Sequence, residues 1–219
     1  MTEMINHHLS PQLLMAYAAG ALPEAFDLVV AAHLSLCDAC RAEAESYDAL
    51  GGAVLENEET AALDEDSLAA TLRLIETGLP EAPDAAAPEA TPGEVLPAPV
   101  RAYVGGGLDD VRWQNIGRGV RQALLPMTGE ARARLLYIPA GMSVPDHGHK
   151  GTEITLVLQG AFRDETDRFG PGDVEIADEK LHHTPVAEEG EDCICLAVTD
   201  APLRFSGLVP RLAQPFLRI

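Results

Sequence analysis

The chain has 219 residues, a formal net charge of −20 and 47% hydrophobic residues, enough apolar material for one large core or two small ones. That charge argues against direct engagement of a nucleic-acid backbone, which an acidic surface repels, and no apolar run nears the ~20 residues of a membrane-spanning helix. The opening MTEMINHHLS lacks the basic and apolar regions of a secretory leader, so a cytoplasmic location is expected, and the four cysteines point to metal or redox chemistry before structural disulfides.

The acids are unevenly spread. Residues 1–79 hold 14 Asp/Glu against only Arg41 and Arg73, residues 80–100 hold four acids and no base, and residues 101–219 hold 17 acids against 13 bases. An acidic face of this kind suits a basic protein partner as well as solubility.

Ser10-Pro11 opens a first helix, with Ser as N-cap and Pro at the first helical position, and Gly20 is its stop. Pro23 opens a second, whose stripe is Phe26, Val29, Val30, His33 and Leu34. A third is expected over about Asp38–Leu50, ending before Gly51-Gly52, and a fourth over about Asp66–Glu76 with Leu68, Leu72 and Ile75 as its apolar face. Residues 1–79 therefore read as a small all-α domain.

His33-x3-Cys37-x2-Cys40 sits where the second helix meets the third. His33 and Cys37 are four apart and share a helix face, and Cys40 falls in the first turn of the next helix, where the dipole and free N–H groups favour a thiolate. His7 or His8 supplies a fourth donor, and Cys2His2 is a closed tetrahedral set that suits structural Zn(2+). A small domain with few aromatics gains from such a staple. A buried unliganded cysteine pair and a Cys37–Cys40 redox pair are the competing readings.

Residues 80–99 contain six of the 16 prolines, at 80, 83, 88, 92, 97 and 99, and 80–100 reads as an extended Pro/Ala/Glu linker. From 101 to 219 the period changes to that of strands. Segments at Ala133–Ile138, Ile154–Leu158, Val174–Ala177 and Cys193–Val198 are separated by Gly, Pro and Asp turns, as in a sandwich or barrel.

Within that half, Gly141-x5-His147-x-His149-x3-Glu153-x6-Gly160 matches at every position the first motif of the cupin superfamily. Two histidines at i and i+2 project from one face of a strand, and Glu153 reaches the same point from the next, forming a divalent-metal site with open positions. Pro171-Gly172-Asp173 followed by a histidine resembles the second cupin motif. Neighbouring His182 and His183 face opposite ways on a strand, so only one can point inward. The donor set accepts Zn, Mn, Fe or Ni.

The upstream His with His-x3-Cys-x2-Cys in a helical domain resembles the zinc anti-sigma fold, and its union with a cupin resembles the ChrR family of cupin anti-sigma factors. The likeness is carried by HHLSPQLLMAYAAG, HLSLCDAC, VRWQNIGRGVRQALLP, PDHGHKGTEITLVLQGAFRDETDRFGPGDVEIAD and DAPLRF, nearly the whole chain. The resemblance implies an α+β multidomain protein: a helical zinc domain that sequesters an extracytoplasmic-function sigma factor, followed by an all-β, jelly-roll-like cupin barrel that senses singlet oxygen or peroxide-type oxidants. It implies zinc on His8, His33, Cys37 and Cys40 and a metal on His147, His149, Glu153 and His183, with His182 the competitor for the last. It also implies a regulator and not an enzyme.

Cys193 and Cys195 share a strand face and read as oxidant-sensitive thiols or as two small buried hydrophobes. Trp113 and Tyr137 read as packing, and Arg132 and Arg134 as a solvated face. The alternative function is a metal-dependent cupin oxygenase, which the two-His-one-carboxylate set would suit; a weaker one is metal buffering.

Overall fold

The computed structural model describes residues 4–78, 94–148, 150–179, 181–202 and 204–205. Five α-helices and then twelve strands follow one another in the described chain. Helix α1 (Pro11–Ala18) begins where Ser10 Oγ accepts the Leu13 N–H, and α2 (Glu24–Leu36) begins at Pro23, as the capping residues dictate. Cys37 closes α2 and caps α3 (Asp38–Glu56) in extended conformation.

The expected stop of α3 at Gly51-Gly52 is not found: the helix runs through both glycines to Glu56. Neither glycine adopts a left-handed φ, and both stand in open space. Gly is costly in a helix, by about 1 kcal/mol against Ala, but it does not forbid one, and Ala53-Val54-Leu55 carry the helix on. Helix α4 (Ser67–Thr77) lies within a residue of its expected bounds and ends at Gly78 with positive φ.

Residues 80–93 of the expected linker lie outside the described residues. From Val95 onward the chain is packed: Leu96 and Val100 are buried, and α5 (Ala98–Val104) lies on α2, with the Tyr103 hydroxyl donating to Glu24 at 2.8 Å.

The strands are β1 (Gln114–Gly117), β2 (Val120–Leu124), β3 (Arg132–Ile138), β4 (His147–Gly148), β5 (Glu153–Gln159), β6 (Phe162–Arg163), β7 (Arg168–Phe169), β8 (Val174–Ala177), β9 (His182–His183), β10 (Val186–Ala187), β11 (Cys193–Thr199) and β12 (Arg204–Phe205). All pair antiparallel, in a six-stranded sheet β1-β2-β3-β11-β5-β8 and two three-stranded sheets, β10-β6-β7 and β12-β4-β9. The architecture is a jelly-roll of layered sheets and not a hydrogen-bonded cylinder.

Strand alternation divides the large sheet into two faces. Leu135, Ile154, Leu156, Ile194, Leu196 and Val198 share one cluster with Leu14, Phe26, Val29 and Val30 of the helices. The opposite parity, Ile138, Val157, Cys193 and Cys195, packs with Phe162 and Phe169 of the small sheets. Helix α2 is therefore covered on both sides. It meets β3, β5 and β11 as well as α1, α3 and α5, which is why AFDLVVAAHL is apolar nearly all round and not along one stripe. Helices α1, α2, α3 and α5 thus share the first of these two clusters with one face of the large sheet.

Arg134 is not part of a solvated face. It has the parity of Leu136 and Ile138, is 4% exposed, and turns inward, where the charge of Glu153 offsets its burial, whereas Arg132 is exposed. Trp113 and Tyr137 pack edge to face at 5.9 Å, with Arg121 over the tyrosine ring. No described helix is long and apolar enough to cross a membrane.

Candidate metal centres

The first group is built at the α2–α3 junction. The donor atoms of His8, His33, Cys37 and Cys40 all lie within 4.8 Å of one another. Cys37 and Cys40 are buried, and His8 Nδ1 stands 3.3 Å from Cys37 Sγ and 3.5 Å from Cys40 Sγ. His33, fully buried, donates its Nδ1–H to the Gly172 carbonyl at 3.0 Å. That leaves Nε2 buried with no hydrogen-bond partner among the described residues. Such an orphan is costly unless something takes its lone pair. A thiophilic divalent ion would do so, and Cys2His2 is one of the sets that hold structural zinc.

Burial, only partly offset by the Gly172 carbonyl, pulls His33 down to about 4, so it is neutral and ready to ligate at pH 7. Burial pushes the Cys40 thiol up to about 11 against the pull of the Leu9 N–H, so a bound cation is needed to hold it as thiolate. Of the two upstream histidines, His8 joins the group. The His7 side chain turns away to Asp167, at 3.2 Å, and to the Phe169 ring.

The second group lies inside the jelly-roll. β4 pairs with β9 so that His147 stands opposite His183, and Glu153 enters at the start of β5. The three are buried and their donor atoms lie within 4.8 Å. His147 gives Nδ1–H to Pro145 O at 2.9 Å and aims Nε2 at His183 Nε2, 3.2 Å away. His182 has the opposite parity and is exposed. His149 lies outside the described residues.

Sequence reasoning missed two carboxylates here. His183 Nδ1 is 2.9 Å from Glu175 Oε1 and 3.1 Å from Asp164 Oδ2. They fix its ring so that Nε2 faces inward, the usual task of a carboxylate behind a ligand histidine. The signal was present: an acid in the apolar strand Val174-Glu175-Ile176-Ala177, whose Glu175 is buried.

The electrostatics follow. Burial, then the charge of His183, drops His147 to about 4. Burial also pulls His183 down, but its hydrogen bond to Glu175, the charge of Glu175 and the bond to Asp164 outweigh this and lift it to about 9. Burial raises Glu153 to about 7 despite Arg134 and His183. Two facing imidazoles and a buried carboxylate form a donor set that a divalent cation would suit.

Cys193 and Cys195 are free and buried, with sulfurs 3.6 Å apart. The hydrogen bond with Cys193 and burial raise the Cys195 thiol well above its usual range. Both side chains pack in the second apolar cluster, and burial there favours the neutral thiol of Cys195.

A jelly-roll with an inward His147–Glu153–His183 group, fused to helices with a Cys/His group, defines a cupin-type protein, and residues 103–202 match the model of the ChrR cupin-like domain. Over 215 residues, 98% of this chain and 99% of the relative, the sequence is 61% identical to the anti-sigma-E factor ChrR of Cereibacter sphaeroides. The chain belongs to the ChrR family. The crystal structure of Rhodobacter sphaeroides SigE in complex with the anti-sigma ChrR matches with TM-score 0.78 and 59% identity, over 90% of this chain and 100% of that one. An RmlC-like cupin protein from Ralstonia eutropha matches with TM-score 0.40 and 25% identity, over 46% of this chain and 70% of that chain.

Proposed function

We propose that this protein is an anti-sigma factor that sequesters an extracytoplasmic-function sigma factor in the cytoplasm and releases it under oxidant stress. The likeness to a ChrR chain solved in complex with SigE supports the partner. The observation on this chain that carries the reading is α4. Leu68, Leu72 and Ile75, at i, i+4 and i+7, are 70%, 50% and 65% exposed, and the helix buries no residue of its own. An apolar helix face left in solvent is a docking surface. The acidic helical half adds attraction for basic segments of a sigma factor.

In this reading Zn(2+) on His8, His33, Cys37 and Cys40 ties the N-terminal segment, α2 and α3 together, since structural zinc and folding are thermodynamically linked. A divalent metal on His147, His149, Glu153 and His183 makes the jelly-roll the sensor of singlet oxygen or peroxide-type oxidants. The cupin is a regulatory module and not a catalyst.

A sigma-dependent reporter, with and without a singlet-oxygen source, tests both halves. Cys40→Ser should raise uninduced expression, because the helical unit no longer holds the sigma factor. His147→Ala and Glu153→Ala should behave alike, keeping basal repression and losing induction. Induction at the wild-type level in both cupin variants would remove the sensing role from the metal site. No binding of a sigma factor to the purified wild-type chain would remove the anti-sigma reading itself.

A further inference from the structure

The cupin turn Gly170-Pro171-Gly172-Asp173, between β7 and β8, does not end its work in the jelly-roll. Asp173 is 3% exposed. Its Oδ1 accepts the backbone N–H of Asn6 at 2.6 Å and of His7 at 2.8 Å, while Oδ2 accepts the N–H of Gly170 at 2.9 Å. The Val174 N–H then donates to the His7 carbonyl at 3.2 Å, so the N-terminal segment is laid against the start of β8. The next residue of that segment is His8. One residue before Asp173, the Gly172 carbonyl takes the His33 Nδ1–H. Gly172 itself has φ +89°, a conformation that favours glycine, and a Cβ there would also press on the Ile5 side chain.

Two of the four donors at the α2–α3 junction are thus held from the other half of the chain, across sequence separations of 139 and 166 residues. We propose that Gly172 and Asp173 are positioning residues of the helical metal centre: the cupin turn fixes the His33 tautomer that leaves Nε2 free, and it clamps the segment that presents His8. The proposal rests on the reading of that centre as a metal site. It makes metal retention by the helices a property of the β-sheet. An ordinary structural role for Asp173 would lower stability in general. A positioning role acts first on the geometry and release of this one ion.

Cobalt(II) is the probe. Thiolate-to-cobalt charge-transfer absorption arises only where cysteine ligates, so it reports the Cys37/Cys40 centre in the full-length protein and is blind to the sulfur-free cupin group. Asp173→Ala removes the acceptor of the three backbone N–H groups and the Oδ2 that stands 3.5 Å from His7 Nδ1. Asp173→Asn keeps one oxygen for Asn6 and His7 and loses the acceptor for Gly170. We expect a shifted band and release to a chelator about 10-fold to 100-fold faster in Asp173→Ala, the range for outer contacts of ligand histidines, with Asp173→Asn between it and wild type. Wild-type band and release rate in a folded Asp173→Ala overturn the proposal. If circular dichroism shows that Asp173→Ala does not fold, Asp173→Asn decides: faster release supports the proposal and a wild-type rate overturns it. A wild-type chain with no charge-transfer band, or a band that survives in Cys37→Ala/Cys40→Ala, overturns the metal reading and the proposal with it.

Discussion

His147 and His183 face one another through Nε2 atoms 3.2 Å apart, each with its Nδ1 already engaged, by Pro145 O on one side and by Glu175 and Asp164 on the other. The two nitrogens converge on a point that only a proton or a metal ion can neutralise. His147 is held down to about 4 and His183 up to about 9. A cation entering here displaces the proton of His183, and below about 7 that of Glu153 as well. Metal affinity of this centre should therefore fall as pH falls, by roughly tenfold per unit between pH 9 and 7 and more steeply below 7. Competition against a calibrated chelator across pH 6–9, in a Cys37→Ala/Cys40→Ala background, measures it; a flat profile contradicts the assignment.

Glu175 meets His183 at Nδ1, the ring nitrogen opposite the Nε2 that faces His147. Glu175→Gln should lower divalent-metal affinity of the cupin group about 10-fold to 100-fold. The cysteine centre should keep its metal. Dialysis followed by elemental analysis distinguishes loss of one equivalent from loss of both.

The α4 face supports no core, so it can be altered without unfolding anything. Leu72→Glu should leave the thermal melt unchanged and weaken sigma-factor binding at least tenfold, as expected for a charge placed in the centre of an apolar contact. A parallel loss of melting temperature would show that α4 packs at home instead.

Gly51 and Gly52 stand in α3 in helical conformation with open space where a Cβ would go. Gly51→Ala and Gly52→Ala should each stabilise the C-terminal half of α3 by about 1 kcal/mol. Amide exchange over residues 50–56 should slow accordingly. Unchanged or faster exchange would mean that the helix does not persist past Leu50.

Much of this molecule was legible in its residues. Ser10-Pro11 and Pro23 set helix starts, and the period-2 segments set β3, β5, β8 and β11 within a residue or so, because caps and alternation act locally. The spacing of His33, Cys37 and Cys40 dictated one donor cluster, and that of His147 and Glu153 contributed to the other. What stayed hidden depends on partners distant in sequence. That α2 lies on β5 and β11 cannot be read from an apolar helix alone, which shows only that something covers each side. The parity of Arg134 with Leu136 and Ile138 was readable, but its inward turn depends on Glu153, which comes from another strand. Glu175 meets His183 only after the sheets are layered. The glycine pair misled because a glycine's cost in a helix is graded, not absolute.

The core that α2 shares with β3, β5 and β11 has a consequence in time. A ribosome delivers α2 early and the strand Cys193–Thr199 late, so the side of α2 that faces the sheet stays uncovered for most of synthesis. The carbonyl that takes His33 and the carboxylate that holds Asn6 and His7 emerge more than 130 residues after the segments they hold. A nascent helical half therefore carries its cysteines without its finished outer support until translation is nearly done. If the helical group holds its ion as proposed, its full outer support would arrive only when the jelly-roll is nearly complete, so that the two halves would finish assembling together.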